Sequence, residues 1–198
     1  MAKQNVSGLA WPKPLLHILC LLPFTYIVWA ALSESLGTDP VKALILLTGE
    51  WSIRLLILTL AITPLRQWLN MPKLLRYRRM LGLYAWFYVN LHFLVVLTYL
   101  FAWDWRIAQE ELLERPYIVV GFLAWLFMLP LGVTSNNKAV RALGRNWKKI
   151  HKLIYLIATL AWVHVFWQVR SSYFDAVLYG ALILLLFYPR LKKVYETR

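Results

Sequence analysis

Six apolar runs set the terms for this chain. They lie at about 13–32, 43–64, 80–101, 116–134, 150–169 and 175–189. A helix rises about 1.5 Å per residue, so roughly 20 apolar residues cross the hydrocarbon core of a bilayer. Inside lipid, backbone N–H and C=O groups must find partners within the protein, so such runs fold as helices. The last run is short, and Tyr188-Pro189 is expected to end it. Connections are short, which favours antiparallel neighbours. The sequence therefore predicts an all-α integral membrane six-helix bundle, with residues 1–198 as one domain. Hydrophobic residues make up 61% of the chain, above the roughly 45–50% apolar content of soluble domains. Little chain is left for a soluble catalytic domain. The first run, LLHILCLLPFTYIVWAAL, has no A-x-A-type cleavage site and reads as a retained helix.

A formal net charge of +13 could suggest nucleic acid, but its distribution argues otherwise. Lys3 and Lys13 precede the first run, and Arg66, Lys73, Arg76, Arg78 and Arg79 fill the junction after the second. Lys138, Arg141, Arg145, Lys148 and Lys149 lie between the fourth and fifth runs, with Lys152 just inside the fifth, and Arg190, Lys192, Lys193 and Arg198 in the tail. All fall on one side of an alternating six-helix plan, where only Glu196 opposes them. Glu34, Asp39, Glu50, Asp104, Glu110, Glu111, Glu114 and Asp175 fall on the other. The positive-inside rule then puts both termini and the basic loops in the cytoplasm. The charge is topological and lipid-facing, and no nucleic-acid partner is expected.

Smaller features refine this plan. The stretch 102–115, WDWRIAQEELLERP, has helical spacing and predicts a short surface helix ended by Pro116. Pro64 and Pro72 are expected to bracket the exit of the second helix. Gly82 and Gly121 would allow close packing of a helix or a flat cofactor. Tryptophans near run ends, such as Trp29, Trp51, Trp103, Trp105, Trp147 and Trp167, read as an interfacial belt. Cys20 is the one cysteine and reads as a small buried residue.

The four histidines carry the chemistry: His17, His92, His151 and His164. Ionisable groups in membrane helices are costly and usually functional. Neutral imidazole is an axial ligand for haem iron, and a haem held between two helices takes one from each. The third and fifth helices run parallel from the basic side. His92 lies roughly 18 Å along the third and His164 roughly 21 Å along the fifth. This matched depth makes them the leading pair, in the outer half of the membrane. His151 lies 13 residues before His164, roughly 20 Å away along the axis and about 140° around it, so the two cannot share one iron. His151 with His17 is the candidate inner pair, giving one haem b or two.

Two rival uses of imidazole fit less well. Structural zinc wants four clustered ligands, commonly with cysteine. A proton relay wants mid-membrane carboxylates, and only Glu50 and Asp175 come near, both at outer helix ends. Arg76, Arg78 and Arg79 could hold haem propionates or a flavin phosphate; the plainer reading is topology control and anionic lipid. Arg54, one turn inside the second helix, could reach an outer propionate or snorkel to the interface.

RRMLGLYAWFYVNLH (78–92), TSNNKAVRALGRNWKKIHKLIY (134–155) and the early LGTDPVK resemble the MsrQ (YedZ) family. The broader likeness is to ferric-reductase-like transmembrane domains, and it runs along nearly the whole chain. The resemblance implies a multi-pass protein of the bacterial inner membrane that binds haem b and FMN. It implies electron delivery to MsrP, a periplasmic molybdopterin enzyme that reduces methionine sulfoxide in oxidised proteins. Electrons would come from a cytoplasmic NADH-dependent flavin reductase or from quinone. The family's histidines fall on His92, His151 and His164; Arg78 and Arg79 join them, with His17, as cofactor-binding candidates. Relatives among the oxidases carry two histidines on each of two helices, whereas the third helix here carries only His92. No motif locates FMN.

The leading expectation is thus an electron-transfer subunit with no substrate-reducing site of its own. No G-x-G-x-x-G turn for a nicotinamide cofactor is present. The alternatives are a haem protein that reduces iron or oxygen directly, fed by a separate flavoenzyme, and a non-redox transporter or assembly factor.

Overall fold

The computed structural model describes residues 12–169 and 172–196, the side chains of 190–196 excepted. Of the charged residues named above, Lys3 and Arg198 lie outside the described residues, as do the side chains of Arg190, Lys192, Lys193 and Glu196. The described residues fold as helices and connecting turns. Helix α1 spans Lys13–Leu32, α2 Pro40–Trp68, α3 Leu75–Tyr99, α4 Trp105–Glu114 and α5 Pro116–Val133. Two short helices, α6 (Asn137–Leu143) and α7 (Arg145–His151), lead to α8 (Leu153–Gln168) and α9 (Phe174–Glu196). Five stretches are long and apolar enough to cross a membrane: Lys13–Leu32, Pro40–Trp68, Pro72–Tyr99, Pro116–Val133 and Arg145–Gln168. A shorter apolar helix, Phe174–Pro189, accompanies them. This is a multi-pass membrane protein.

Local chemistry explains several boundaries. Asp39 caps α2, its Oδ1 accepting from Lys42 N at 3.0 Å, and Pro40 opens the helix where no N–H is needed. Asp104 caps α4 in the same way, accepting from Arg106 N at 2.8 Å. That short helix lies within the stretch 102–115 expected to form one; it ends at Glu114, and Pro116 opens α5.

Two proline expectations are overturned. Helix α2 continues through a buried Pro64 to Trp68, and α9 continues through Pro189 to Glu196. A proline removes one helical bond, but packed neighbours and local adjustment sustain a membrane helix through it. The fifth apolar run is also divided. Lys152 separates α7 from α8, yet its helical backbone angles (φ −71°, ψ −20°) keep the two nearly continuous.

Helix α1 is fastened beside its own internal proline, Pro23. Next to Pro23, the Tyr88 hydroxyl of α3 enters the α1 hydrogen-bond ladder. It donates to Cys20 O at 2.8 Å and accepts from Phe24 N at 2.9 Å. A side chain inserted in this way is a recognised cause of helix bending. Tyr88 itself is fully buried.

The remaining helices form two tightly packed couples, α2 against α3 and α5 against α8. The couples meet where α3 touches α5 and where α2 touches α8. Between α3 and α8 there is no close backbone approach: no Cα of one lies within 8 Å of the other. The candidate site occupies that seam.

Candidate functional site

His92 projects from α3 and His164 from α8, and their rings meet across the seam. The centroids lie 6.4 Å apart, with the ring planes at 69°. A metal bonded to both imidazoles at about 2.0 Å from each nitrogen would set the centroids roughly 6–6.5 Å apart. The observed spacing fits two imidazoles that would share one metal. Helix α2 supplies the wall behind His92, and α5 the wall behind His164.

Hydrogen bonding fixes the tautomer of both rings. His92 Nδ1 lies 3.1 Å from Ile45 O and 3.1 Å from Thr48 Oγ1. His164 Nδ1 lies 2.7 Å from Tyr117 O. A carbonyl oxygen can only accept, so each Nδ1 carries the proton and donates it. Each Nε2 is left with its lone pair, the form that binds a metal. Thr48 is completely buried, and its own hydroxyl donates back to helix carbonyls, 2.7 Å from Leu44 O and 3.1 Å from Ile45 O.

Two glycines let the walls come this close. A Cβ on Gly121 would lie 2.7 Å from both Cε1 and Nδ1 of His164, a distance no side chain occupies. A Cβ on Gly49 would lie 3.2 Å from His92 Cε1. Each imidazole is thus seated on a glycine of its packing partner. Among the described residues no three His, Cys, Asp or Glu cluster as a metal cage. Two opposed imidazoles, with the remaining ligands supplied by a planar macrocycle, suit a haem.

His17 and His151 are not brought together. His17 is exposed, its Nδ1 2.7 Å from the Tyr84 hydroxyl of α3. His151 stacks on Trp147, with centroids 3.9 Å apart at 25°. Its Nδ1 donates to Trp147 O at 3.2 Å, and its Nε2 faces Ser135 Oγ at 3.4 Å. Ser135 follows the end of α5, which packs on Trp86 of α3 through Gly132. Tyr84 and Trp86 are two residues apart, hence about 160° apart around α3. The body of α3 therefore stands between the surroundings of His17 and those of His151.

The arginines also separate. Arg79 Nη1 donates to Asn137 Oδ1 at 2.6 Å, tying α3 to α6. Arg78 lines a cavity on another side. Arg76 lies over the Tyr77 ring and bonds its hydroxyl. Arg54 lies about four turns into α2, which begins at Pro40, deeper than the one turn expected, and Glu50 about three turns in rather than at the helix end. Arg54 bonds Glu50 Oε2 at 2.7 Å and the Tyr179 hydroxyl of α9 at 3.1 Å.

Sequence reasoning found both opposed histidines and noted Gly121. It missed Thr48, Gly49 and the carbonyls of Ile45 and Tyr117. A Thr-Gly pair one face away from a mid-membrane histidine was the available signal; a carbonyl acceptor leaves none in a sequence.

Residues 48–162 match the family described as ferric reductase like transmembrane component. Relatives named protein-methionine-sulfoxide reductase heme-binding subunit MsrQ match along most or all of the chain. That of Xanthomonas axonopodis pv. citri (strain 306) is 43% identical over 204 residues, covering 100% of this chain and 93% of the relative. That of Polaromonas naphthalenivorans (strain CJ2) is 42% identical over 177 residues, covering 88% and 81%. No solved structure matches. The matched family segment runs from Thr48, beside His92, to Trp162, two residues before His164, and by that segment and the full-length likeness together the chain belongs to the MsrQ family of ferric-reductase-like transmembrane proteins.

Proposed function

We propose that this chain is a haem b electron-transfer subunit, with the haem held between His92 and His164. The observation that carries the reading is the opposed pair, 6.4 Å apart, with both Nδ1 protons committed to protein acceptors. Haem bound there supplies one-electron chemistry. The chain's own work is to orient two neutral imidazoles, keep their Nε2 atoms unprotonated and line the seam with apolar side chains that exclude water. The names of its relatives support a role in a methionine-sulfoxide reductase system.

In this reading the basic end faces the cytoplasm, so the haem lies toward the periplasmic half of a bacterial inner membrane. Electrons enter from a cytoplasmic flavin reductase or quinone and leave to the periplasmic molybdopterin enzyme MsrP. FMN and a second haem remain part of the proposal, His151 being the available inner imidazole. His17, exposed and bonded to Tyr84, is the weaker partner for it.

A pyridine haemochrome assay on purified protein, with low-temperature electron paramagnetic resonance, tests the assignment. The expected result is low-spin bis-imidazole haem that is lost in His92→Ala and in His164→Ala. An unchanged low-spin signal in either variant would overturn it. The ferric-reductase-like match favours one second reading, direct reduction of iron or oxygen at the haem. Rapid oxidation of the reduced protein by a ferric chelate, with no acceptor protein present, would favour that alternative.

A further inference from the structure

The histidine pair lies close to the acidic end of the bundle. His164 is four residues from the end of α8 at Gln168, and its Nδ1 proton goes to the carbonyl of Tyr117, the second residue of α5. Over that point lies an open, mainly apolar cavity of about 200 Å³, lined by Pro116, Tyr117 and Trp167. Tyr117 belongs to both places: its carbonyl holds His164, and its ring centroid lies 5.8 Å from that of the imidazole. Trp167 stands about one turn beyond His164, with 57% of its surface exposed. The cavity opens at helix ends, where α8 stops and α5 starts, so it faces the water side of the membrane rather than lipid.

The shoulder of this cavity is acidic. Residues 104–116 carry four acids, Asp104, Glu110, Glu111 and Glu114, against Arg106 and Arg115. Arg115 pairs with Glu111 at 3.0 Å. Glu110 and Glu114 are exposed and make no ion pair among the described residues. Each follows by two residues a side chain packed on the bundle, Ala108 or Leu112, and so lies about 160° around α4 from it. Like charges four residues apart disfavour a helix, so helix stability does not account for them. Glu114 is two residues before Pro116, which puts this outward-facing charge at the rim of the cavity.

We infer that this cavity and the acidic face of α4 form the docking surface for a soluble electron-acceptor protein with a basic face, an apolar side chain of which seats between Pro116, Tyr117 and Trp167. Seated there, the acceptor touches Tyr117, which in turn touches His164. The direction of transfer rests on the haem reading above. One electron leaves ferrous haem, which becomes ferric, and enters the oxidised acceptor; no bond or proton is exchanged. Weak electron-transfer encounters bury less than about 1,200 Å², so one depression with a charged shoulder is enough. The chain as a whole is formally +13 and repels a basic protein. Attraction at this end therefore has to come from the local acids.

The test uses the full chain in dodecyl maltoside, with ferricytochrome c as a basic one-electron probe. Zero-length carbodiimide cross-linking, mapped by mass spectrometry, should join probe lysines to Glu110 and Glu114. Stopped-flow oxidation of the reduced protein should slow about tenfold from low to high salt, as local attraction is screened. Glu114→Gln should slow the low-salt reaction severalfold and, combined with Glu110→Gln, flatten the salt dependence. Glu34→Gln, which removes an exposed acid of the α1–α2 turn, should leave the rate unchanged. Trp167→Ala should slow the high-salt reaction severalfold with an unchanged Soret spectrum. A rate that rises with salt would mean that net charge governs, and overturns the surface. Equal slowing by Glu34→Gln and Glu114→Gln overturns it too, as does a wild-type rate at high salt in Trp167→Ala, which would leave that ring to lipid. Cross-linking needs no haem. A chain without a Soret band that still cross-links at α4 defeats the haem reading and keeps the docking surface; intact haem without those cross-links does the reverse.

Discussion

The two ends of α8 and its α7 extension each hold a histidine, and the contrast between them is instructive. At one end His164 has a partner imidazole, a carbonyl holding its Nδ1 and a glycine beneath its ring. At the other His151 has the same Nδ1-to-carbonyl arrangement, but its ring lies on Trp147 and its Nε2 meets a serine. The same residue type and the same tautomer therefore do not make the same site. What differs is the neighbour across the gap. His92 is available to His164 because α2 turns it toward the seam, and α3 presents no imidazole near its basic end.

The largest expected effect that would break this comparison is at the paired histidines. His92→Ala or His164→Ala should abolish the bis-imidazole haem, whereas His151→Ala should retain its low-spin resonance. Loss of that resonance in His151→Ala would erase the distinction between the two ends. Next comes Gly121→Ala, whose added methyl must displace His164. A lower haem-to-protein ratio is expected, by haemochrome assay, with a smaller loss in Gly49→Ala because His92 is approached less closely. Equal loss in the two would show that the glycine seats are not what positions the rings.

Thr48→Val should be milder. It removes one acceptor of the His92 proton but leaves Ile45 O in place. Groups behind a metal ligand typically alter affinity or activity by about 10–100-fold when lost. With one of two acceptors retained, the low end is expected, accompanied by a shifted midpoint in redox titration and no loss of haem at saturation. His17→Ala should change least. Its haem content should equal that of the wild type, since its bond to Tyr84 lies roughly 12 Å along α3 from His92.

Much of this was legible in the sequence because it depends on length and depth. Run lengths marked the apolar helices, and counting residues from the basic side placed His92 and His164 at one level. The spacing of WRIAQEELLE marked α4. Other features escaped because they depend on facing. Pro64 and Pro189 read as helix ends, yet the surrounding bundle carries both helices through. His17 and His151 share a depth by counting, but depth says nothing about which side of α3 each occupies. The proton acceptors at Ile45 and Tyr117 are backbone atoms, invisible to any reading of side-chain type.

The seam between α3 and α8 also bears on assembly. Two helix couples that touch along their flanks but not along this line have a common interior face that a flat ligand can complete. A ligand that binds only the folded state adds to stability in proportion to the logarithm of its free concentration over its dissociation constant. Cofactor supply then becomes a form of quality control. A chain made in haem-starved cells should melt earlier and expose its 100–115 connection to protease sooner, so that its abundance tracks haem supply without any change in transcription.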